Sequence, residues 1–209
     1  MKSGIILMLF CISLSAQDTE TGKKWKSSLV ETGSYITFSD YKMRQNAGFF
    51  AGYWYRYPFD GTETHLEIGG SFGYSKSLYN FEYGKKGQFY PIHSEEFIVN
   101  LGVRMVKEYS WKNYKIEWVS ELSLHNLFFN DKGIPNDEPV RDGDDKTIYI
   151  DTHTESVASL KIGQGIRFWK NNIGIGVQAS YMPYRLWYKE TVPVRFNSVS
   201  IEAGVNFKF

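Results

Sequence analysis

The chain alternates apolar and polar residues over eight segments of about ten residues each. Side chains in an extended chain point alternately to opposite faces, so this period of two predicts eight β-strands, each with one apolar face. No segment shows the 3.6-residue period of an amphipathic helix. The predicted strands span residues 29–38, 47–59, 65–74, 97–106, 114–125, 158–168, 173–181 and 199–209.

The predicted connections differ in length, and their order is informative. Short connections join strands two and three, four and five, and six and seven, whereas residues 76–95 and 126–156 form long connections after strands three and five. Long and short connections therefore fall on opposite ends of an up-and-down meander. The sequence predicts an all-β fold, an eight-stranded antiparallel up-and-down transmembrane β-barrel over residues 27–209.

Alternation alone does not say which face of the barrel is wet. A secreted lipocalin-like binding barrel keeps its apolar face inside, and this remains an alternative. Here the polar faces hold many glycines and serines while the apolar faces hold the bulky rings, which suits a narrow filled lumen and a lipid-facing exterior. The charges on the polar faces nearly balance, as a closed interior requires: Arg56, Arg104, Lys115, Lys161, Arg167 and Lys208 against Glu31, Glu67, Glu96, Glu117, Glu121 and Glu202.

Composition supports an exported membrane protein. Phe, Tyr and Trp make up 17% of the 209 residues, and tyrosine and tryptophan concentrate at membrane–water interfaces. Residues 1–16 combine Lys2, an apolar run and small residues, which predicts a signal peptide, followed by a short periplasmic segment over residues 17–26. The single cysteine, Cys11, lies in that signal. Without Lys2 the chain has equal numbers of acidic and basic residues, so a nucleic-acid partner is not expected.

The signal ending in Ser15, Ala16 and Gln17, the eight amphipathic strands and the terminal Phe209 resemble the small outer-membrane β-barrel proteins of Gram-negative bacteria, with OmpA/OmpX-like architecture. The signal ending is most similar to those of Bacteroidota, where PorT-like barrels of the type IX secretion machinery have this size. The resemblance implies a cell outer membrane location, periplasmic termini, and contact with outer-membrane lipid or lipopolysaccharide. It also implies that the barrel assembly machinery reads the last strand through Phe209.

Candidate chemistry is sparse. Ser123, His125 and Glu121 faintly resemble the triad of barrel lipid A deacylases, but the order of serine and histidine is reversed and the serine would point inward. Other weak signals are His153 with Glu155, the acidic stretch Asp142, Asp144 and Asp145 as a calcium site, and the carboxylate pair Glu117 and Glu121. A polar lumen, a solvated loop and salt bridges to Arg104 or Lys161 explain these better. The sequence predicts no catalytic, cofactor-binding or metal-binding residue.

These observations favour a structural or interaction subunit, such as one of a secretion or envelope assembly complex, over a lipid A-modifying enzyme. An eight-stranded barrel with a filled interior offers no pocket, so specificity must come from the loops or the outer wall. The long connections hold aromatic and apolar side chains that either anchor a partner or extend the strands above the membrane and pack on each other: Tyr79, Phe81, Tyr83, Phe89 and Tyr90 in one, and Leu127, Phe128, Phe129 and Tyr149 in the other.

Overall fold

The computed structural model of the chain describes residues 28–39, 42–44, 47–59, 61–82, 89–131, 140–141, 147–148, 155–186 and 197–209. Eleven strands lie in these ranges: β1 (Ser28–Phe38), β2 (Lys42–Arg44), β3 (Ala47–Pro58), β4 (Thr64–Glu82), β5 (Phe89–Trp111), β6 (Tyr114–Asp131), β7 (Val140–Arg141), β8 (Thr147–Ile148), β9 (Glu155–Lys170), β10 (Ile173–Met182) and β11 (Ser198–Lys208). One 3₁₀ turn follows β10 (Tyr184–Leu186). Among the described residues, no helix is long and apolar enough to cross a membrane.

Eight of the strands form one closed barrel. Every neighbouring pair is antiparallel, in the order β4-β3-β1-β11-β10-β9-β6-β5, and β5 pairs with β4 to close the ring. The predicted eight-stranded up-and-down fold is thereby confirmed. The short strand β2 pairs with the C-terminal part of β4, and β7 pairs with β8.

The first and last strands close the barrel together. β1 and β11 pair along their length, and Ser28 exchanges two backbone hydrogen bonds with the terminal Phe209. The alternation therefore continues to the last residue because that residue belongs to the ladder. The termini of the barrel and the turns at residues 59–63, 112–113 and 171–172 lie at one end, called here the short-turn end.

The opposite, long-connection end differs from the prediction. β4, β5, β6 and β9 are 19, 23, 18 and 16 residues long, well beyond the 9–11 that cross a bilayer. The backbone ladder pairs Phe81 with Tyr90 and Tyr79 with Ile92, so these aromatic residues extend the strands. Leu127 and Phe128 likewise lie in β6. A third long connection, residues 183–197, also lies at this end. The predicted bounds of the seventh and eighth strands leave room for it, although only two long connections were predicted.

Candidate functional site

The outer wall of the barrel is apolar. Among the residues that the structure describes, thirty large apolar or aromatic side chains are at least a third exposed, including Phe49 at 70% and Ile175 at 62%. The buried residues of the same described ranges show the reverse, with 21 polar or charged side chains against ten apolar ones. The strand period places the apolar side chains of each strand on one face, and the closed ring turns that face outward.

Aromatic side chains concentrate toward the two ends of this wall, and aliphatic ones lie between. Near the short-turn end the outward rings are Tyr55, Tyr57, Tyr109, Trp111, Tyr114, Phe168, Phe207 and Phe209. Toward the other end they include Phe49, Phe72, Tyr74 and Phe97, and Tyr74 packs on Phe97 with ring centroids 5.1 Å apart. Two aromatic belts around an aliphatic band match the two interfaces and the core of a bilayer.

The lumen is filled by ion pairs, and Arg104 of β5 is at its centre. Its guanidinium donates two hydrogen bonds of 2.8 Å to Glu31 and one of 2.8 Å to Glu121. The plane of Arg104 also lies 3.6 Å from the ring centroid of Trp54, whose indole N–H donates to Glu31. A buried guanidinium is stable here because carboxylates on opposite sides of the barrel satisfy its donors.

A second cluster lies nearer the short-turn end. Glu67 accepts hydrogen bonds from Arg56 at 2.6 Å and from Arg167 at 2.8 Å. Glu117 accepts from Arg56 at 2.9 Å and from Lys208 at 2.6 Å. The expected partners of Glu117, Arg104 and Lys161, were therefore wrong, because the pairs to Arg56 and Lys208 reach across the lumen to β3 and β11.

Lys161 links the central cluster of the lumen to the part nearer the long-connection end. Its ammonium lies 2.6 Å from Glu202 and 3.4 Å from Glu121, and the pairing of Glu121 with Arg104 and Lys161 confirms the prediction. Within the described interior, five cations face the five carboxylates of this network. Lys115 is an exception to the predicted inward set, because its side chain is 55% exposed at the rim and pairs with Glu108.

An apolar plug closes the long-connection end of the lumen, and a row of three hydrogen-bonded polar side chains lies inside it. Tyr35, Ile98, Leu127, Met182 and Tyr184 form a buried cluster. Tyr184 comes from the 3₁₀ turn after β10, and its hydroxyl is 2.7 Å from His125 Nε2. The other imidazole nitrogen is 2.7 Å from Asn100 Oδ1. Burial raises the pKa of Tyr184 well above its ordinary value, so the hydroxyl stays protonated.

Large rings fit inside the barrel because glycines face them on the neighbouring strand. Gly174 is the register partner of Trp169, and a Cβ on Gly174 would lie 2.7 Å from the indole. Gly48 is likewise the register partner of Tyr35, whose ring covers it. At these two positions, a glycine on the polar face leaves the space that a large aromatic ring occupies.

Ser123, His125 and Glu121 do face one lumen, as their shared strand face predicted, but they form no triad. The Ser123 hydroxyl donates to Glu121 at 2.6 Å, while both nitrogens of His125 are occupied by Asn100 and Tyr184. Ser123 and His125 are each 2% exposed. A lipid acyl chain would lie outside the wall, so this serine cannot attack it without opening the barrel.

A possible metal cluster lies at the short-turn end, where ligand atoms of His65, Glu108 and Glu117 are within 4.8 Å of one another. Glu117, however, already accepts from Arg56 and Lys208, and a metal ion would have to displace those cations. The residues therefore fit an ion-pair network better than a metal centre. The sequence candidates Asp142, Asp144, Asp145 and His153 lie outside the described residues, as does the segment 1–27.

Small cavities lie inside the described part of the barrel. One, of about 30 Å³, lies beside Arg104, Arg167 and Gln178; another, of about 20 Å³, lies below the plug beside His125 and Lys161. Each has room for one or two water molecules and not for a lipid or a retinoid-sized ligand. The charged, filled interior is the opposite of a lipocalin, and that alternative is wrong.

Sequence reasoning missed several residues of the interior. Tyr184 carried no signal, because its connection shows no periodicity and only the fold places it over His125. Trp54 and Trp169, which are 0% and 1% exposed, could have been found from their position on the polar faces of β3 and β9. Their bulk departs from the expected pattern of small residues inside, and for Trp169 the facing Gly174 provides the space.

Comparison with known proteins supplies no family for this chain. No family model matches, and no curated protein matches. Solved structures with some likeness include Ail of Yersinia pestis, the attachment invasion locus protein (16% identity, TM-score 0.44, covering 87% of this chain and 97% of that one). Neisserial surface protein A (13%, 0.45, 87% and 96%) and the outer membrane enzyme PagL (10%, 0.43, 86% and 99%) are others. At such scores these likenesses bear on neither location nor activity.

Proposed function

We propose that this chain is an integral outer-membrane β-barrel protein that acts as a structural or interaction subunit. The observation that carries the proposal is the inversion of the barrel, with a charged, hydrogen-bonded lumen inside a continuous apolar wall. An apolar surface of this extent is not stable in water, where monomers rarely expose patches beyond a few hundred Å². A bilayer with two interfaces accommodates both the aliphatic band and the aromatic belts.

The barrel is not a conduction pore. Side chains from all eight strands fill the cross-section, and Arg104, Glu31 and Glu121 bridge its centre. The plug around Tyr184 closes the long-connection end. The function must therefore reside on the outer wall or beyond the membrane, where β4 and β5 continue for eight residue pairs past Tyr74 and Phe97, roughly 25 Å along the strands.

In outer-membrane barrels short turns face the periplasm, so we infer that the short-turn end and Phe209 are periplasmic and that the extended strands project outward. A partner would then meet the projecting strands or the connections above them. The resemblance of the signal and size supports a Bacteroidota envelope complex such as the type IX secretion machinery as one setting. Lipopolysaccharide and, through the closing strand, the barrel assembly machinery are the further partners that this placement requires.

Two measurements on the refolded protein test the placement. We expect the chain to float with lipid vesicles after urea washing and to migrate differently on a denaturing gel before and after boiling. We also expect those vesicles to show no stepwise ion conductance. Recovery as a detergent-free soluble monomer would contradict the membrane placement, and unitary currents would contradict the filled lumen.

The search for a partner uses the same protein in cells. A mild-detergent pull-down from outer membranes, analysed by mass spectrometry, is compared with a variant in which residues 132–139 are replaced by a short Asn-Gly turn. We expect the variant to assemble, since its ladder is intact, and to recover less partner. A matched enzyme control is Ser123→Ala, which should leave the lipid A profile unchanged; an altered profile would revive the deacylase alternative.

A further inference from the structure

One polar side chain interrupts the apolar outer face of β9. The outward residues of this strand are apolar from Ala158 to Phe168 except for Gln164. Lys170 ends β9 at the short-turn end, and Gln164 lies six residues before it. Gln164 is therefore roughly 20 Å from that end along the strand, or roughly 15 Å along the membrane normal at the usual strand tilt. The membrane placement proposed above, on which this inference rests, therefore puts the carboxamide in the hydrocarbon core.

The hydrogen bonds of Gln164 fix the orientation of its amide. Trp118 Nε1 lies 2.8 Å from Gln164 Oε1, and because an indole nitrogen can only donate, the facing atom must be the carbonyl oxygen. Ser120 Oγ, on the residue directly opposite in the β6–β9 ladder, donates to the same oxygen at 3.0 Å. The carbonyl is thus saturated, and the amide nitrogen points its two hydrogens away from these partners.

No acceptor for that amide nitrogen lies among the residues that the structure describes. Hydrocarbon offers no hydrogen-bonding alternative, so an unpaired N–H₂ there is costly. Ser120, by contrast, uses its hydroxyl hydrogen on Gln164 and keeps oxygen lone pairs free. The patch therefore carries a donor without an acceptor and, one strand away, an acceptor without a donor.

We propose that the β6–β9 wall is a homodimer interface within the membrane. A two-fold axis passing between Ser120 and Gln164 would let Gln164 of each protomer donate to Ser120 of the other. A two-fold contact needs a surface complementary to itself, and this donor–acceptor pair provides one. A second copy is favoured over an unrelated spanning segment because the missing acceptor is present on the same patch.

The surroundings of the patch suit such a contact. Trp118, Leu122, Ile162 and Phe168 flank it, and each is about half exposed, at 47–50%. The outward faces of β6 from Ile116 to Leu124 and of β9 from Ala158 to Phe168 carry no charge, so two copies meet without like-charge repulsion. Packing and a few buried hydrogen bonds are what hold membrane proteins together laterally, since lipid removes the hydrophobic driving force.

The test measures dimerisation of the full barrel in lipid vesicles by energy transfer between labelled copies, over a range of protein-to-lipid ratios. We expect wild type to dimerise and Gln164→Leu to weaken the dimer roughly tenfold or more, because two reciprocal hydrogen bonds are lost. The matched control is Ser34→Ala, which removes an outward serine from β1, three strands from β9 and four from β6 around the ring. It should leave dimerisation unchanged.

Crosslinking supplies a readout that does not depend on the Gln164 variant. In a Cys11→Ser background, Leu122→Cys should form a disulfide-linked dimer under mild oxidation, and Thr32→Cys on the opposite wall should not. A wild-type chain that floats with vesicles and is heat-modifiable but stays monomeric overturns the dimer while leaving the membrane placement intact. Equal dimerisation of wild type and Gln164→Leu, or equal crosslinking at both cysteines, also overturns it. A chain that does not float overturns both proposals.

Discussion

Replacing Arg104 with methionine should destabilise the barrel more than any other single change in the lumen. The side chain is 2% exposed and bonds two carboxylates, Glu31 and Glu121, at 2.8 Å. Methionine keeps much of the side-chain volume, but it takes away the closest cation from both carboxylates. Breaking a buried pair from one side typically costs about 3–5 kcal/mol, and loss of the contact with Trp54 is part of that cost.

The residual partners set where in that range the value should fall. Glu121 keeps Lys161 at 3.4 Å and two neutral donors, Ser123 and Gln178, and Glu31 keeps the indole of Trp54. These contacts moderate the penalty, so we expect about 3 kcal/mol. At a denaturant slope of about 2 kcal/mol per M, the urea midpoint falls by roughly 1.5 M.

The assay is reversible urea unfolding of the protein in lipid vesicles, followed by tryptophan fluorescence and by mobility of the unboiled protein. The matched control is Lys115→Met, which removes a cation from the exposed rim pair with Glu108 and should change stability by less than about 1 kcal/mol.

A triple variant tests whether stranded charge is the cause. Adding Glu31→Gln and Glu121→Gln to Arg104→Met neutralises the two carboxylates that lost their closest cation. It should restore at least half of the lost stability, because a buried amide costs less than a poorly paired buried carboxylate. If Arg104→Met behaves like Lys115→Met, the lumen is hydrated and the ion pairs contribute little. If the triple variant is no better than the single one, packing and not charge explains the loss.

Three further changes are measured by the same unfolding assay. Gly174→Ala should cost about 1–3 kcal/mol, because its Cβ would lie 2.7 Å from Trp169; a neutral result would mean that the ring can move aside. Tyr184→Phe should cost about 1–3 kcal/mol by leaving His125 Nε2 without its partner, and no change would show that the plug is not held by this bond. Lys112→Gly should raise stability by about 0.5–1 kcal/mol, because Lys112 has a φ of 54° in its turn, which glycine adopts freely; a loss would refute the strain argument.

Much of the architecture could be read from the sequence because strand alternation is a local property. The period of two identified the eight strands, and most of the predicted strand ends lie within a few residues of the observed ones. The alternation of Val199 to Phe209 identified the closing strand. The residue types on each face also indicated which face points into the barrel, since a narrow eight-stranded lumen favours small side chains and requires its charges to be paired. Strand ends above the membrane were less predictable, because the alternation of β4 and β5 weakens beyond Tyr74 and Phe97.

The tertiary structure alone decided which groups meet. Glu117 bonds Arg56 and Lys208, which are 61 and 91 residues away, and Tyr184 reaches His125 from an irregular connection. Such contacts depend on the stagger with which eight strands close, and one residue of slippage would move every partner. The same holds on the outer wall, where Gln164 looked like one polar residue in an apolar face until the β6–β9 register placed it beside Trp118 and Ser120. Alternation assigns a side chain to a face, whereas only ring closure assigns it a partner.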